Sequence, residues 1–357
     1  MASIRENFEN RERNFISPHG CLSSKSRGRI RQEDSCPIRT AFQRDRNRIV
    51  YSNAFRRLKH KTQVFLAPLG LGDHYRTRLT HTLEVAEIAR TICRAIRLNE
   101  DLAEAISLGH DLGHTPFGHG GETVLKEIYS REFSHQQQSL RVVDLLENNG
   151  RGLNLTLEVR NGIEKHSKGY GKVMPKNPDR LADTMEGRIV RIADIMAYLN
   201  HDLDDAIRSG VIHAGEVPTI CLENLGRTHS QRATRMINDL IDCSETNGED
   251  LNLIMSDTIY GAMTTLRKFL YTHVYRSPKV HREFVKAKKI LSDLFHFYME
   301  KESLLFQELA DLEMDQCHSA DEPRARVVCD FIASMTDRQA LALFERHFFP
   351  APITKGG

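Results

Sequence analysis

Apolar residues recur three and four positions apart along most of this chain, the period of a helix with one buried stripe. Segments 79–97, 101–111, 136–148, 183–208, 230–242, 252–272, 280–299, 301–314 and 322–333 carry that pattern and are predicted as helices. Alternating runs of β-branched and polar residues are nearly absent, and the short candidates are Gln63–Phe65 and Val211–Ile212. The expected fold is mainly α, with at most a small β-hairpin. Residues 1 to about 35 are polar, rich in Arg, Ser and Asn and without a period, so they read as an extended or partly ordered arm. The stretch from Ser167 to Asp179 mixes Gly, Pro and Lys and reads as a loop between two helices, one that could cover a site.

Composition adds little to that outline except by exclusion. The chain has 357 residues, of which 27% are charged, 40% apolar and 7% aromatic, with no Trp. Disorder and a rod-like repeat are excluded. No window approaches eighteen uninterrupted apolar residues and the first residues are polar, so we expect a cytoplasmic protein without a membrane span. The seven Cys are scattered, with no CxxC pair, which suggests neither a disulfide framework nor a thiolate zinc site. Charge is uneven behind a net value of +2: residues 1–61 hold 15 Lys/Arg against 6 Asp/Glu (+9), and the remainder holds 35 against 42 (−7). A basic head is suited to a polyanion or an acidic neighbour, and equally to a solvated arm.

The chemistry lies in the histidines. Of 17 in the chain, seven (His81, His110, His114, His119, His135, His166 and His201) fall between residues 81 and 201. His81 heads an inward stripe that continues through Val85, Ile88, Ile92 and Ile96, and a buried imidazole must satisfy two ring nitrogens, through hydrogen bonds or a metal. A structural role is open to it. The apolar helix from Leu102 ends in the adjacent pair His110-Asp111, a borderline nitrogen beside a hard oxygen, suited to a divalent ion with bound water. Asp194 stands alone in an apolar helical stretch and needs a cation, either a metal or an Arg such as Arg191. His60, His166 and His201 are read as structural.

In order and spacing, His81, His110-Asp111 and Asp194 resemble the H…HD…D pattern of the HD-domain metal-dependent phosphohydrolases. The longer run His110-Asp111-Leu112-Gly113-His114-Thr115-Pro116-Phe117-Gly118-His119-Gly120-Gly121-Glu122 resembles, more specifically, the deoxynucleoside triphosphate triphosphohydrolase (dGTPase-like) branch. Ala54 to Phe65, Arg78-Leu79-Thr80-His81 and Ala193 to Leu203 add to it, and the similarity runs from about residue 40 to 275. One departure is Phe133-Ser134-His135-Gln136, where that family more often has Phe-Glu-His-Asn.

The resemblance implies an HD-domain helical core over residues 36–275, preceded by the arm (1–35) and followed by a C-terminal helical extension (276–357). It implies that His81, His110, Asp111 and Asp194 hold a divalent ion (Mn, Mg, Fe, Ni, Co or Zn), and that a dNTP is cut to deoxynucleoside and inorganic triphosphate by water attack at the α-phosphorus. His119 and Glu122 are then a catalytic dyad, with His114 and His135 facing the α-phosphate. Arg78, Tyr198 and Asp202 would lie around the triphosphate, and Gln63 and Tyr271 near the sugar. Relatives of this kind assemble as tetramers or hexamers and some respond to a nucleotide or single-stranded DNA activator, which is the expectation carried over here. The alternatives are an HD phosphodiesterase or 5′-nucleotidase, and a nucleic-acid-binding or nucleotide-sensing module on the same scaffold.

Overall fold

A computed structural model describes residues 2–64, 76–166, 177–247, 250–319 and 321–350. Most of the loop expected over Ser167–Asp179 lies outside the described residues, as does Phe65.

The chain begins with a helix where the sequence suggested an extended arm. α1 (Ile4–Phe15) is polar, but Ser3 and Glu6 close a reciprocal capping box at its start. A basic, weakly periodic segment forms α2 (Ala41–Tyr51), which buries Phe42 and Ile49, and a single turn follows as α3 (Asn53–Arg57). Part of the basic head is paired within the molecule. Arg29 pairs with buried Asp45 and with Glu33, Arg27 with Glu158 and Asp183, and Arg46 with Asp101 and Glu104.

Three of the periodic segments build the centre: α4 (Arg78–Ala95), α5 (Glu100–Gly109) and, after α6 (His119–Ile128), α7 (His135–Arg141) and α8 (Leu157–Lys165), the long α9 (Met185–Arg208). α4, α5 and α9 pack on one another, with α2 and α8 against α5. Val85, Ile92, Leu102, Ile106 and Val190 are fully buried between them. Each such side chain contributes about 1.5–3 kcal/mol of burial, so this triangle is a rigid base for what projects from it. α7 runs on as a π-helical turn, Val142–Leu146.

Beyond α9 come α10 (Thr219–Asn224) and α11 (His229–Cys243), then a two-stranded antiparallel pair, β1 (Glu245–Asn247) and β2 (Asp250–Asn252). This small hairpin is not at either expected place: Val211–Ile212 is a bend, and near Gln63 the described residues hold an isolated bridge between Thr62 and Thr77. α12 (Asp257–Phe269) continues into a second π-helical stretch, Leu270–Tyr275. The C-terminal helices are α13 (Pro278–Glu300), α14 (Glu302–Asp311), α15 (Arg324–Ser334) and α16 (Asp337–Phe348). α13 lies against α6, α15 and α16, so the extension is fastened to the helix that follows the His-rich turn. Among the described residues no helix is long and apolar enough to cross a membrane.

Candidate active site

Two groups of imidazoles share one buried region, and each is placed by the end of a helix. His81 projects from the first turn of α4, His110 caps the C-terminal end of α5, Asp111 follows it, and Asp194 comes from the middle of α9. The donor atoms of His81, His110 and Asp111 all lie within 4.8 Å of one another. Asp194 Oδ1 is 3.2 Å from His81 Nε2, and Asp111 Oδ1 is 3.5 Å from His110 Nε2. The structure thus gathers four residues that are up to 113 positions apart in sequence. Asp194 is answered by His81 Nε2, with the Arg191 guanidinium close enough to feel its charge; Arg191 also donates to the Lys165 carbonyl at 3.1 Å.

The hydrogen bonds around this group say what it can hold. His110 Nδ1 sits 2.6 Å from the Ser107 carbonyl, which can only accept, so Nδ1 carries the hydrogen and Nε2 is a lone pair. That lone pair faces His81 Nε2 at 3.4 Å. The His110 lone pair and the two carboxylates repel one another unless positive charge lies among them, on the His81 ring or on a bound ion. The titration pattern agrees. Burial works against a charge on His81, yet Asp194 and Asp111 outweigh it and raise its pKa. Burial likewise opposes ionisation of Asp111 and Asp194, but His110 and Arg78 hold the first, and His81 the second, well below the usual carboxylate range. Two imidazole nitrogens and two carboxylates fit a divalent metal ion of the nitrogen- and oxygen-binding kind.

The second group adjoins the first. Phe117 and Gly118 take positive φ values of 61° and 60°, forming the tight turn that starts α6 at His119; a side chain at Gly118 would meet the Gln63 carbonyl oxygen at 2.8 Å. His114 is fully buried and stacks on His135, ring centroids 4.7 Å apart, with His119 edge-on at 5.3 Å. Neither ring nitrogen of His114 has a hydrogen-bond partner among the described residues. Burial, then the nearby Arg78 guanidinium, keeps it neutral by driving its pKa well down.

Glu122 takes a partner other than the expected one. Its Oε2 accepts from His135 Nδ1 at 2.8 Å and its Oε1 from Lys126 Nζ at 2.7 Å, whereas His119 Nδ1 is 4.0 Å away and largely exposed. The carboxylate–imidazole pair built here is Glu122–His135. The reason is packing: α7 brings His135 up beside the first turn of α6, and the His119 ring turns outward. His135 Nε2 in turn lies 3.2 Å from His166 Nε2, and His166 Nδ1 lies 2.6 Å from the Ile163 carbonyl.

The residues expected around substrate come from several elements. Arg78 is buried against the metal-type cluster, donating to Asp111 Oδ2 at 2.8 Å and to the Thr62 and Gln63 carbonyls at 3.3 and 3.2 Å. Gln63 is buried, with its Oε1 unpaired among the described residues. Tyr198 is half-buried one turn beyond Asp194 on α9, and Tyr271 lies in the second π-helical stretch under the Arg276 guanidinium, 5.0 Å from its ring. Asp202 is buried: its carboxylate accepts from the Tyr275 hydroxyl at 2.6 Å through one oxygen, and the other lies 2.7 Å from His201 Nδ1.

Sequence reasoning passed over several contributors. Lys61 is buried and donates to the carbonyls of His114 and Ala333. Ser139 donates to the His110 carbonyl at 2.7 Å and accepts from Gly113 N at 2.9 Å. Asp337 of α16 accepts from Thr62 N and Phe117 N at 3.0 and 2.9 Å. All three act on backbone groups, which leave no side-chain pattern to read. His201, read as structural, touches His81 directly, its Nε2 2.8 Å from His81 Nδ1.

Comparison with known proteins agrees with this geometry. Residues 78–199 match the HD domain family, a span from the first turn of α4 to just beyond Asp194, and residues 253–346 match the Phosphohydrolase-associated domain. A deoxyguanosinetriphosphate triphosphohydrolase-like protein of Desulfatibacillum aliphaticivorans is 61% identical over 98% of this chain and 99% of its own length. Proteins of the same description from Caldanaerobacter subterraneus subsp. tengcongensis and Clostridium tetani are 49% and 43% identical, each over 98% of this chain and 97% of their own.

Proposed function

This chain belongs to the deoxyguanosinetriphosphate triphosphohydrolase-like family of HD-domain proteins and is a metal-dependent phosphohydrolase; on that premise we propose that it cuts deoxynucleoside triphosphates to deoxynucleoside and inorganic triphosphate. One observation carries the reading: the turn from His110 to Glu122 sets a second wall of imidazoles, His114, His119 and His135, directly beside the four metal-type ligands. A site for a single phosphate needs the first group; a triphosphate, with its larger charge, needs donors continuing away from it.

In this proposal His81, His110, Asp111 and Asp194 hold a divalent ion. Such an ion neutralises charge on the phosphate and acidifies water in contact with it. Water attacks the α-phosphorus and the bond to the 5′-oxygen breaks. His119, exposed at the N-terminus of α6, supplies a proton to that departing oxygen. His114, with both nitrogens unpaired among the described residues, faces the phosphate as a hydrogen-bonding group, and His135, held between Glu122 and His166, stacks behind it. Burial opposes the Glu122 charge, but His135 and then His119 hold its pKa well below the ordinary value, so it stays an acceptor at neutral pH. Arg78, already bound to Asp111, keeps that carboxylate oriented and leaves part of its fork for phosphate oxygens.

The test is product analysis. Protein loaded with Mn or Mg is incubated with each dNTP and each rNTP, before and after chelation. Inorganic triphosphate and deoxynucleoside, lost on chelation, are the expected products. Release of phosphate or diphosphate without triphosphate overturns the reading in favour of a phosphodiesterase or nucleotidase.

A further inference from the structure

Lys61 is a fully buried lysine that the proposed chemistry does not use. It is 2% exposed and lies two residues before Gln63. Its Nζ donates to two main-chain carbonyls, that of His114 in the His-rich turn and, at 2.7 Å, that of Ala333 in α15. α15 stops at Ser334, so the Ala333 carbonyl is among those that a helix end leaves without an internal donor. Burial, then the Arg57 guanidinium, drives the Lys61 pKa well down, with Asp337 pulling the other way. The link holds in either state, because an ammonium and a neutral amine both have hydrogens enough for two carbonyls.

The backbone that carries Lys61 serves Arg78. The Lys61 carbonyl accepts from Arg78 N at 3.0 Å, and the next two carbonyls, Thr62 and Gln63, accept from Arg78 Nε and Nη2 at 3.3 and 3.2 Å. Residues 61–63 are thus the seat of the guanidinium, whose Nη1 reaches Asp111 at 2.8 Å. His114 stands close enough to this seat that Arg78 is second only to burial in holding its ring neutral, and both its ring nitrogens are unpaired among the described residues. The Lys61 side chain is a strut between the two, rooted in the Arg78 seat and ending on the main chain of His114 itself. Asp337 makes a second tie, from Thr62 N to Phe117 N, three residues further along the turn.

We propose that Lys61 is a positioning residue for phosphate binding: its strut from the Arg78 seat to the His114 carbonyl sets the spacing of two groups that meet the triphosphate. This rests on the reading of the site as a triphosphate pocket. The metal-type ligands come from α4, α5 and α9 and the turn after α5, and Lys61 bonds to none of them. Lys61→Met is the informative change, since it nearly keeps the volume and removes both hydrogen bonds. The His114 main chain and the Arg78 seat are then free to drift apart. A misplacement of about 1 Å costs on the order of 100-fold in rate, and the loss falls on the phosphate rather than on the ion.

The measurement is equilibrium dialysis of inorganic triphosphate against the full chain with MnCl2 kept in excess, wild type against Lys61→Met. A thermal melt, a Mn titration and dGTP kinetics accompany it, at a temperature where both proteins are folded. The expected result is triphosphate binding weakened about 10-fold and kcat lowered roughly 10- to 100-fold, with a cooperative melt and Mn affinity within about 3-fold of wild type. Lys61→Arg, which keeps N–H donors on a long stem, is expected to recover most of the triphosphate affinity. If Lys61→Met does not fold, Lys61→Gln, whose amide nitrogen ends one bond short, carries the same comparison. Wild-type triphosphate affinity in the variant, with kcat per folded molecule unchanged, overturns the proposal and leaves Lys61 as scaffolding. Failure of the wild type itself to bind inorganic triphosphate overturns the triphosphate reading, and the role of Lys61 with it.

Discussion

Asp337→Ala tests whether the C-terminal helices complete the site or merely lie against it. Asp337 opens α16, and its two oxygens accept from Thr62 N at 3.0 Å and Phe117 N at 2.9 Å, tying two separate segments beside the imidazoles together. Removing the carboxylate leaves the buried Phe117 N–H without an acceptor, at about 1–3 kcal/mol. The Thr62 N–H belongs to a half-buried residue that water can reach, so its loss adds less. The first turn of α16 also loses an anion, roughly 0.3–1 kcal/mol. Against these stands the end of a buried charge: burial is the leading influence on Asp337 and raises its pKa despite the bonds from Thr62 and Phe117. The net expectation is a loss of about 1–3 kcal/mol in unfolding free energy, read by urea denaturation. Activity should fall further than stability. The same two bonds fix the turn that carries His114 and His119, and a displacement of about 1 Å can cost on the order of 100-fold in rate. Mn affinity should be unchanged, since α4, α5 and α9 hold the ligands without Asp337. Unfolding free energy within a few tenths of a kcal/mol of wild type, together with an unaltered kcat, would falsify the idea that the extension shapes the site.

Three further outcomes follow from separate features. In Gly113→Ala the new Cβ would stand 2.1 Å from Ser139 N and 2.3 Å from the Gln138 carbonyl carbon, so α7 must shift; a loss of about 1–3 kcal/mol or more and a collapse of activity through His135 are expected, and a wild-type melting curve would refute the clash. Cys36 has its thiol pKa lowered to about 7, chiefly by the side-chain hydrogen bond from Arg39, with backbone donors helping. It should be the fastest of the seven thiols to react with iodoacetamide, its rate rising through pH 7 and slowing in Arg39→Ala; peptide mapping over a pH series checks this. The Glu122 carboxylate is held below its ordinary value near 4.5, so its contribution to stability is present above that pH and is lost as pH falls through the depressed value. Glu122→Gln should flatten the acid limb of the stability profile below pH 4.5, and an acid limb identical to wild type would count against the His135 pairing.

The long helices were legible because their stripes are wide. α4 and α9 bury residues at every third or fourth position, with His81 and Asp194 among those helices' residues, but it was the resemblance to the H…HD…D pattern that grouped them with His110 and Asp111. α1, α2 and α16 escaped the pattern for different reasons. α1 is held by its capping box and has one buried side chain, Glu9; α2 buries a charged residue, Asp45, beside Phe42 and Ile49; α16 is a short amphipathic helix capped by Thr336. The pairing of Glu122 was not legible at all. Spacing along α6 puts His119 three residues away, but a helix start frees His119 to turn outward while α7 delivers His135 from the other side. Local spacing proposes partners; the helix that packs across them decides.

The same logic explains why so many histidines gather here without becoming a cluster of charges. His110 and His166 each give the outer nitrogen to a main-chain carbonyl, Ser107 and Ile163, at 2.6 Å, and a carbonyl can only accept. Burial, followed by His110 and His135, drives the pKa of His166 down to about 3, so that ring is neutral and its inner nitrogen is a lone pair. His81 has its outer nitrogen held by His201, and His135 has Nδ1 held by Glu122. Fixing the outer nitrogen of each ring fixes what the inner one offers. The His110 lone pair meets the two aspartates beside His81, a place for a cation. His114 is the exception, with no acceptor behind it and Arg78 close by, so either of its nitrogens is free to follow the charge of whatever binds. A site that must hold a cation and an anion side by side needs both kinds of imidazole, and the helix ends at Gly109 and Gly118 are what set the two kinds next to each other.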